Sequence, residues 1–155
     1  MNTIPMTTST MSINDFQKLT NLQSYTVHEV YAVLTKYCQL VKTNNGLLDW
    51  GLSRVLYHES MLELLNKSIS NLKYANTYAH FINYIWDLFK QPTSNIIYPH
   101  YLILGLSIFC SGYESINQSF CTNLLNKANV IKQDDSIESF YNNSIDLVIE
   151  MVDSF

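Results

Sequence analysis

Apolar residues recur at intervals of three and four along most of the chain, which is the spacing of amphipathic helices. One stripe consists of Tyr78, Phe81, Ile82, Ile85, Trp86 and Phe89. Another consists of Val27, Val30, Tyr31, Val33, Leu34, Tyr37, Cys38 and Val41. We see no alternating stretch long enough for a sheet, beyond a residue or two within the turns. The pattern therefore predicts an all-α chain.

Polar residues before these stripes indicate where the helices begin. The candidates are Ser12 or Asn14 for the first helix, Thr26 with Glu29 as a capping box, and Asp135 or Ser136 for the last helix. Pro99 suits the first turn of a helix, because proline lacks the amide hydrogen that this position leaves unpaired. We expect helices over 12–22, 26–41, 47–58 and 59–72, the last of which either continues its predecessor or restarts at Ser60. Further helices are expected on either side of residues 90–98, over 113–127 and from 136 to 155.

The chain of 155 residues is long enough for one domain with a substantial core. We predict a disordered tail over 1–11 and a single helical domain over 12–155. Hydrophobic residues make up 47% and charged residues 14%, against about 25% charged in an average soluble domain. A surface so poor in charge favours a protein that remains bound to a partner, but AT-rich coding would produce the same composition.

Charge and targeting signals exclude several classes of function. The net charge is -4 and no basic patch is visible, so nucleic acid is not expected as a partner. The beginning, MNTIPMTTST, lacks the cationic and apolar regions of a signal peptide. The longest apolar run, IIYPHYLILGLSIFC, is too short to cross a bilayer, so no membrane insertion is expected. The odd number of cysteines predicts buried free thiols in a reducing compartment, and hence a cytoplasmic protein.

The segment between the two central helices has the length of a calcium-binding loop. With Lys90 as position 1 of twelve, Ile97 falls at position 8 and Tyr101 at position 12. Such a loop needs oxygen ligands at positions 1, 3, 5 and 12 and a glycine at position 6. Those positions hold Lys90, Pro92, Ser94, Tyr101 and, at position 6, Asn95. Only Ser94 offers a plausible oxygen ligand, so the frame is present without its ligand set.

Two neighbouring turns fit the same frame with the same result. The first frame places Val41, Thr43, Asn45, Gly46, Leu48 and Leu52 at positions 1, 3, 5, 6, 8 and 12. The third places Val130, Asp134, Ile137 and Tyr141 at positions 1, 5, 8 and 12. We expect no calcium site, because several oxygens must converge to replace the water shell of the ion. Asp134 and Asp135 are weak metal candidates.

The run DLF, a twelve-residue loop and YLILGLSIFCSG together resemble the second EF-hand of calaxin and the neuronal calcium sensors. The Gly105-Leu106-Ser107 step and Gly112 carry this similarity. The segment FQKLTNLQSYTVHEVYAVLTKYCQL resembles the first helices of that family. The resemblance covers roughly residues 14 to 126. It implies EF-hand-like helix-loop-helix pairs with degenerate loops. Ile97 and Leu48, the aliphatic residues at position 8 of two such loops, would then pair in a short antiparallel bridge.

The same resemblance implies a non-catalytic adaptor or structural subunit that grips an amphipathic helix of a protein partner. The expected binding groove consists of Phe81, Ile85, Trp86, Phe89, Leu102, Leu106 and Phe109. By analogy with calaxin, the setting would be a cytoskeletal or ciliary assembly. One alternative is a weak calcium sensor with a non-standard site near Asp134 and Asp135. Another is a helical enzyme or inhibitor whose site the sequence does not reveal.

We find no catalytic motif and expect no cofactor. His28, His58, His80 and His100 are scattered singly, without zinc-ligand spacing. Glu59 and Glu63 lie one helical turn apart, which is typical of a solvated helix face as well as of a carboxylate pair. No glycine-rich phosphate loop or nucleophile elbow is present.

Overall fold

The computed structural model describes residues 12–43, 46–66, 72–92, 94–128 and 136–155. These residues form seven α-helices and a small three-stranded sheet. The helices are α1 (Ile13–Thr20), α2 (Val27–Tyr37), α3 (Arg54–Leu64), α4 (Ala75–Phe89), α5 (Pro99–Leu106), α6 (Glu114–Lys127) and α7 (Ile137–Asp153). The strands are β1 (Gln39–Lys42), β2 (Leu48–Ser53) and β3 (Ile96–Ile97). The prediction of a predominantly helical chain is confirmed, although the sheet makes "all-α" too narrow. The tail predicted over 1–11 lies outside the described residues.

The helix starts predicted from polar residues agree with the structure. The Ser12 hydroxyl accepts a hydrogen bond from the Asp15 amide at 3.1 Å, and the Asp15 carboxylate accepts one from the Ser12 amide at 3.0 Å. Thr26 and Glu29 form the same reciprocal pair at 3.1 and 2.9 Å. Ser136 caps α7 through the amide of Ser139. These bonds satisfy amide groups that have no partner within the helix.

The largest departure from the sequence-based prediction is a β-hairpin where helices were expected. Helix α2 ends at Tyr37, and β1 then pairs antiparallel with β2, so that Leu40 lies opposite Trp50. The predicted end of the second helix at residue 41 and the predicted start of the third at residue 47 are therefore wrong, although both helices are present as α2 and α3. At the turn, Gly46 has a φ of 83°, a left-handed conformation that glycine adopts without a steric cost. The Thr43 amide donates to the Leu47 carbonyl at 2.8 Å and closes the turn.

The short strand β3 pairs with the end of β2 and forms one edge of the sheet. Leu52 lies opposite Ile97 and Ser53 lies opposite Ile96, in antiparallel register. Ile97 thus lies in the expected kind of bridge, but its partner is Leu52 and not Leu48. Leu48 lies at the other end of β2, opposite Lys42 of β1. Leu52 and Ile97 each lie two residues before the first residue of a helix, α3 and α5 respectively.

Gly51 allows this close pairing of strands. A Cβ atom at Gly51 would lie 2.8 Å from Cδ1 of Ile96 and 3.0 Å from the carbonyl oxygen of Ile97. A Cβ contact of 2.8 Å essentially does not occur in real structures, and one of 3.0 Å is unusually tight. Because Gly51 has no side chain, β3 can lie close enough to β2 for Leu52 to pair with Ile97.

Candidate binding surfaces

The loop between α4 and α5 contains a short turn, and its described residues form no cluster of metal ligands. The Gln91 amide donates to the Ile96 carbonyl at 2.9 Å, so the turn is closed by its own backbone. Lys90 is exposed and, over the described residues, forms no ion pair with Asp87. The described ranges contain no group of three or more His, Cys, Asp or Glu side chains that could hold a metal ion.

The other two twelve-residue frames fall on segments whose backbone differs from the loop and strand expected there. The first frame falls on the hairpin, whose residues Leu48 and Leu52 are both in β2. In the third frame, Ile137 is the first residue of helix α7 rather than part of a strand. Asp134 and Asp135 lie outside the described residues, so the weak-sensor alternative stays a prediction.

The apolar face predicted to receive a partner helix is buried in the core of the chain itself. All seven residues are at least 93% buried and belong to one cluster: Phe81, Ile85, Trp86, Phe89, Leu102, Leu106 and Phe109. Phe81 and Phe109 lie 5.6 Å apart between ring centroids, and Phe16 of α1 covers both at 5.5 and 6.0 Å.

The last helix closes the same region. Helix α7 packs against α1, α4, α5 and α6. Phe155, just beyond its end, makes an edge-on contact with Phe16 at 5.1 Å between centroids. Two elements of the same chain, α1 and α7, thus lie where an external helix was expected. In this conformation the predicted groove is not an open surface.

A different apolar surface is exposed on the hairpin. Leu40, Leu48 and Trp50 have exposed fractions of 63%, 64% and 54%. Leu40 and Trp50 are directly opposite each other, and Leu48 lies two residues before Trp50, so the three side chains share one face of the hairpin. We call this the hairpin face. The outer edge of β1 has no strand beside it in the described sheet.

A cleft of about 480 Å³ opens beside the hairpin, where α2, β2 and the start of α5 meet. Its walls are formed by Tyr31, Thr35, Asp49, Trp50, Tyr98, Pro99, His100, Tyr101 and Ala128. We call it the aromatic cleft. Its volume is within the range of small-molecule sites, which is about 300–1,000 Å³.

Hydrogen bonding and ring stacking organise the wall of this cleft. The Tyr98 hydroxyl donates to the Asp49 carboxylate, and the Trp50 amide donates to the other Asp49 oxygen at 3.0 Å. The His100 ring stacks on Tyr98 at 5.3 Å with an angle of 8° between the planes. Tyr101 lies 4.7 Å from His100 between ring centroids. The rings are therefore held by their neighbours before any ligand is present.

Burial keeps two of these polar groups uncharged. Burial, together with the hydrogen bond to Asp49 and its negative charge, raises the pKa of Tyr98 to about 12. Burial also lowers the pKa of His100, although the Asp49 charge acts in the opposite direction. At neutral pH the tyrosine keeps its proton, and the imidazole is neutral because an unperturbed histidine pKa is already below 7. Neither ring therefore carries a charge at neutral pH.

The remaining titratable candidates have structural surroundings. Glu63 accepts hydrogen bonds from Lys36 and Tyr37, which lowers its pKa, and the group lies on the surface rather than in a carboxylate pair with Glu59. His28 packs against Phe120 with 4.3 Å between ring centroids and an angle of 56° between the planes. His80 lies 6.0 Å from the ring of Phe155.

The three cysteines are free and buried. Burial raises the pKa of Cys38 to about 11 and those of Cys110 and Cys121 to about 12. A high pKa disfavours the thiolate, which is the reactive form. These thiols are therefore core residues rather than nucleophiles.

Sequence reasoning missed both the hairpin face and the aromatic cleft. A signal for the hairpin was present, because Leu48, Trp50 and Leu52 alternate with Asp49, Gly51 and Ser53 after a turn that contains Asn45-Gly46. No such signal exists for the cleft, since Asp49 and Tyr98 are 49 positions apart and meet only through the β2–β3 pairing.

No described helix is both long and apolar enough to cross a membrane. No protein-family model, curated protein or solved structure matches the chain, so the functional argument is carried by its geometry and chemistry.

Proposed function

We propose that this protein is a non-catalytic protein-binding subunit and that the hairpin face is its binding surface. The observation that carries the proposal is the grouping of Leu40, Leu48 and Trp50 on one face, each more than half exposed. Single exposed apolar residues are ordinary, but a contiguous group that includes tryptophan is typical of interaction sites. Burial of this face would contribute favourably at about 25 cal/mol per Å² of apolar area.

We propose further that the scaffold is a degenerate EF-hand-like pair. This is supported by two units in which a strand leads into the second helix, joined by the Leu52–Ile97 bridge. The unit from α2 to α3 contains the hairpin, and the unit from α4 to α5 contains β3 alone. In both units the bridged residue precedes its helix by the same two positions. Lys90, Pro92 and Tyr101 replace the oxygen ligands of the second loop, so we propose that the unit holds its shape through packing instead of calcium.

The partner that fits this surface is an amphipathic helical segment. A hairpin provides a slightly twisted apolar strip, against which a helix can place residues spaced by three and four. Lys42, opposite Leu48, adds a cation at the end of the strip, so we expect an acidic residue beside the apolar stripe of the partner. A cytoskeletal or ciliary setting remains part of the proposal through the family resemblance alone.

The test is affinity purification of the full chain from cells that express it, in three versions. The first is wild type, and the second combines Leu40→Ser with Leu48→Ser. The third is a matched control, Tyr113→Ser with Ile116→Ser, which removes two exposed apolar residues at the start of α6. We expect one partner to be retained by wild type and control and lost from the hairpin variant, with unchanged circular dichroism. Equal retention by all three versions would refute the hairpin face as the binding surface.

A further inference from the structure

The aromatic cleft has an unusual balance of charge. Its walls include four phenol or indole side chains, from Tyr31, Trp50, Tyr98 and Tyr101. Among the described residues that line the cleft, Asp49 is the one acidic residue, and none is a lysine or an arginine. The face of an aromatic ring attracts cations, because the ring quadrupole is negative there. The aromatic ring faces and the Asp49 carboxylate therefore both favour a positively charged ligand.

The start of helix α5 acts in the opposite direction but is weaker. A helix N-terminus carries about half of a positive elementary charge. Asp49 carries a full negative charge and is hydrogen bonded to Tyr98, the residue immediately before α5. Pro99, the first residue of α5, also has no amide hydrogen to offer to an anion. The net field at this end of the cleft is therefore favourable to a cation.

The aromatic walls of the cleft select among cations. Both oxygens of Asp49 already accept a hydrogen bond, from Tyr98 and from the Trp50 amide. A primary ammonium is a compact, strongly hydrated charge, so it loses more hydration than a quaternary ammonium when it lies against ring faces. A quaternary ammonium has no N–H donor and is recognised by ring faces and a nearby negative charge alone.

We propose that the aromatic cleft binds a quaternary ammonium group, such as the trimethylammonium of a choline-type molecule or of a trimethylated lysine. The rings of Trp50, Tyr98 and Tyr101 contact the methyl groups, and Asp49 supplies the balancing charge. The cleft and the hairpin face share Trp50, but Leu40 and Leu48 are not part of the walls of the cleft. The Leu40→Ser and Leu48→Ser variant therefore tests the hairpin face without removing a cleft residue.

The experiment follows the two tryptophan indole N–H signals by ¹H–¹⁵N NMR at neutral pH. Trp50 borders the cleft, whereas Trp86 is buried in the core and serves as an internal control. The probes are choline and 3,3-dimethylbutan-1-ol, which has the same shape with carbon in place of the charged nitrogen. We expect choline to shift the Trp50 signal saturably and the neutral alcohol to shift it at least about tenfold less effectively.

Variants assign the effect to the charge in the cleft. Asp49→Asn keeps an oxygen that can accept from Tyr98 but removes the charge, and we expect choline affinity to fall about tenfold, equivalent to about 1.4 kcal/mol. Asp87→Asn is the matched control, because Asp87 is an exposed carboxylate of α4 that does not line the cleft. If Asp49→Asn fails to fold, Trp50→Leu provides a second variant at an exposed position, with the Tyr98 and Tyr101 ring signals as the readout. Choline affinity must also fall in that variant.

A second titration distinguishes the two sources of the group. A peptide containing trimethyllysine is compared with the same peptide containing unmodified lysine and with free choline. Tighter binding of the trimethylated peptide assigns the site to a modified protein, and tighter binding of choline assigns it to a small molecule. Equal shifts with choline and the neutral alcohol, or unchanged affinity in Asp49→Asn, would overturn the proposal.

Discussion

Leu52 and Ile97 lie opposite each other in antiparallel strands, 45 positions apart in the chain, and both are fully buried. Their pairing connects the hairpin to the loop between α4 and α5. The pairing sets the position of both candidate binding surfaces, because Asp49 and Trp50 precede Leu52 in the same strand, β2. The following predictions test this arrangement and its consequences.

The Leu52–Ile97 pair should be energetically coupled. We expect Leu52→Ala and Ile97→Ala each to lower the free energy of unfolding by about 2–5 kcal/mol, because each leaves a cavity in the core. The double variant should lose less than the sum by about 0.5–3 kcal/mol, measured by urea unfolding. Leu40→Ala, on the exposed hairpin face, is the control and should change stability by less than about 1 kcal/mol. Strict additivity would mean that the two side chains do not contact each other.

Gly105 should not tolerate alanine, although it lies in a helix. Helix propensity alone would make Gly105→Ala stabilising by about 1 kcal/mol. A Cβ there would lie 2.9 Å from Cζ of Phe89, with Cε2 nearer still. We therefore expect a net loss of about 1–3 kcal/mol in thermal or denaturant unfolding. Combining it with Phe89→Leu should recover part of that loss, whereas Asn76→Ala, at an exposed position of α4, should be neutral or slightly stabilising. A stabilised Gly105→Ala protein would show that α4 and α5 are farther apart.

The two tryptophans should behave differently on truncation. Trp86 is 7% exposed and lies 5.2 Å from Tyr57 between ring centroids, with the Arg54 guanidinium 5.1 Å from its ring. We expect Trp86→Ala to cost about 3–5 kcal/mol. Trp50→Ala is the natural control, and we expect it to cost less than about 1 kcal/mol in the isolated protein. A loss below about 1 kcal/mol for Trp86→Ala would indicate that its stripe faces solvent or a partner, as an open groove would require.

The three thiols should be slow to react in the native protein. Burial raises their pKa values, so the thiolate fraction at mildly alkaline pH is far below that of an ordinary cysteine with a pKa near 8.5. We expect a thiol reagent such as Ellman's reagent to react rapidly with three groups only after denaturation in urea. Cys38 has the smallest shift and should be modified first in the native state. A fast equivalent of reaction in native buffer would show that one cysteine is accessible.

Calcium should leave the melting temperature unchanged within error at millimolar concentration. Stabilisation by an ion requires binding to the native state, and the Lys90–Tyr101 loop lacks the necessary oxygens. Differential scanning calorimetry with and without calcium measures this directly. A calcium-dependent rise of several degrees that disappears in Asp134→Asn with Asp135→Asn would favour the weak-sensor alternative.

Local patterns in the sequence were sufficient to identify most helices and several of their exact starts. The capping pairs Ser12–Asp15 and Thr26–Glu29 involve residues three positions apart, so the chemistry that stops or starts the helix lies within one turn. The stripe from Tyr78 to Phe89 is likewise a property of one helix, and its burial followed from its spacing.

Tertiary structure decided what covers each apolar face. Helical spacing shows that Phe81 and Phe109 belong to an apolar side, but it does not distinguish a partner helix from α1 and α7 of the same chain. The hairpin was obscured because Cys38 and Val41 continue the helical period of α2, whereas pairing with β2 stabilises the extended form. The aromatic cleft depends on contacts between Asp49 and Tyr98, which become neighbours only after β2 and β3 pair. Such long-range contacts depend on how the elements pack together, and no single stretch of the chain encodes them.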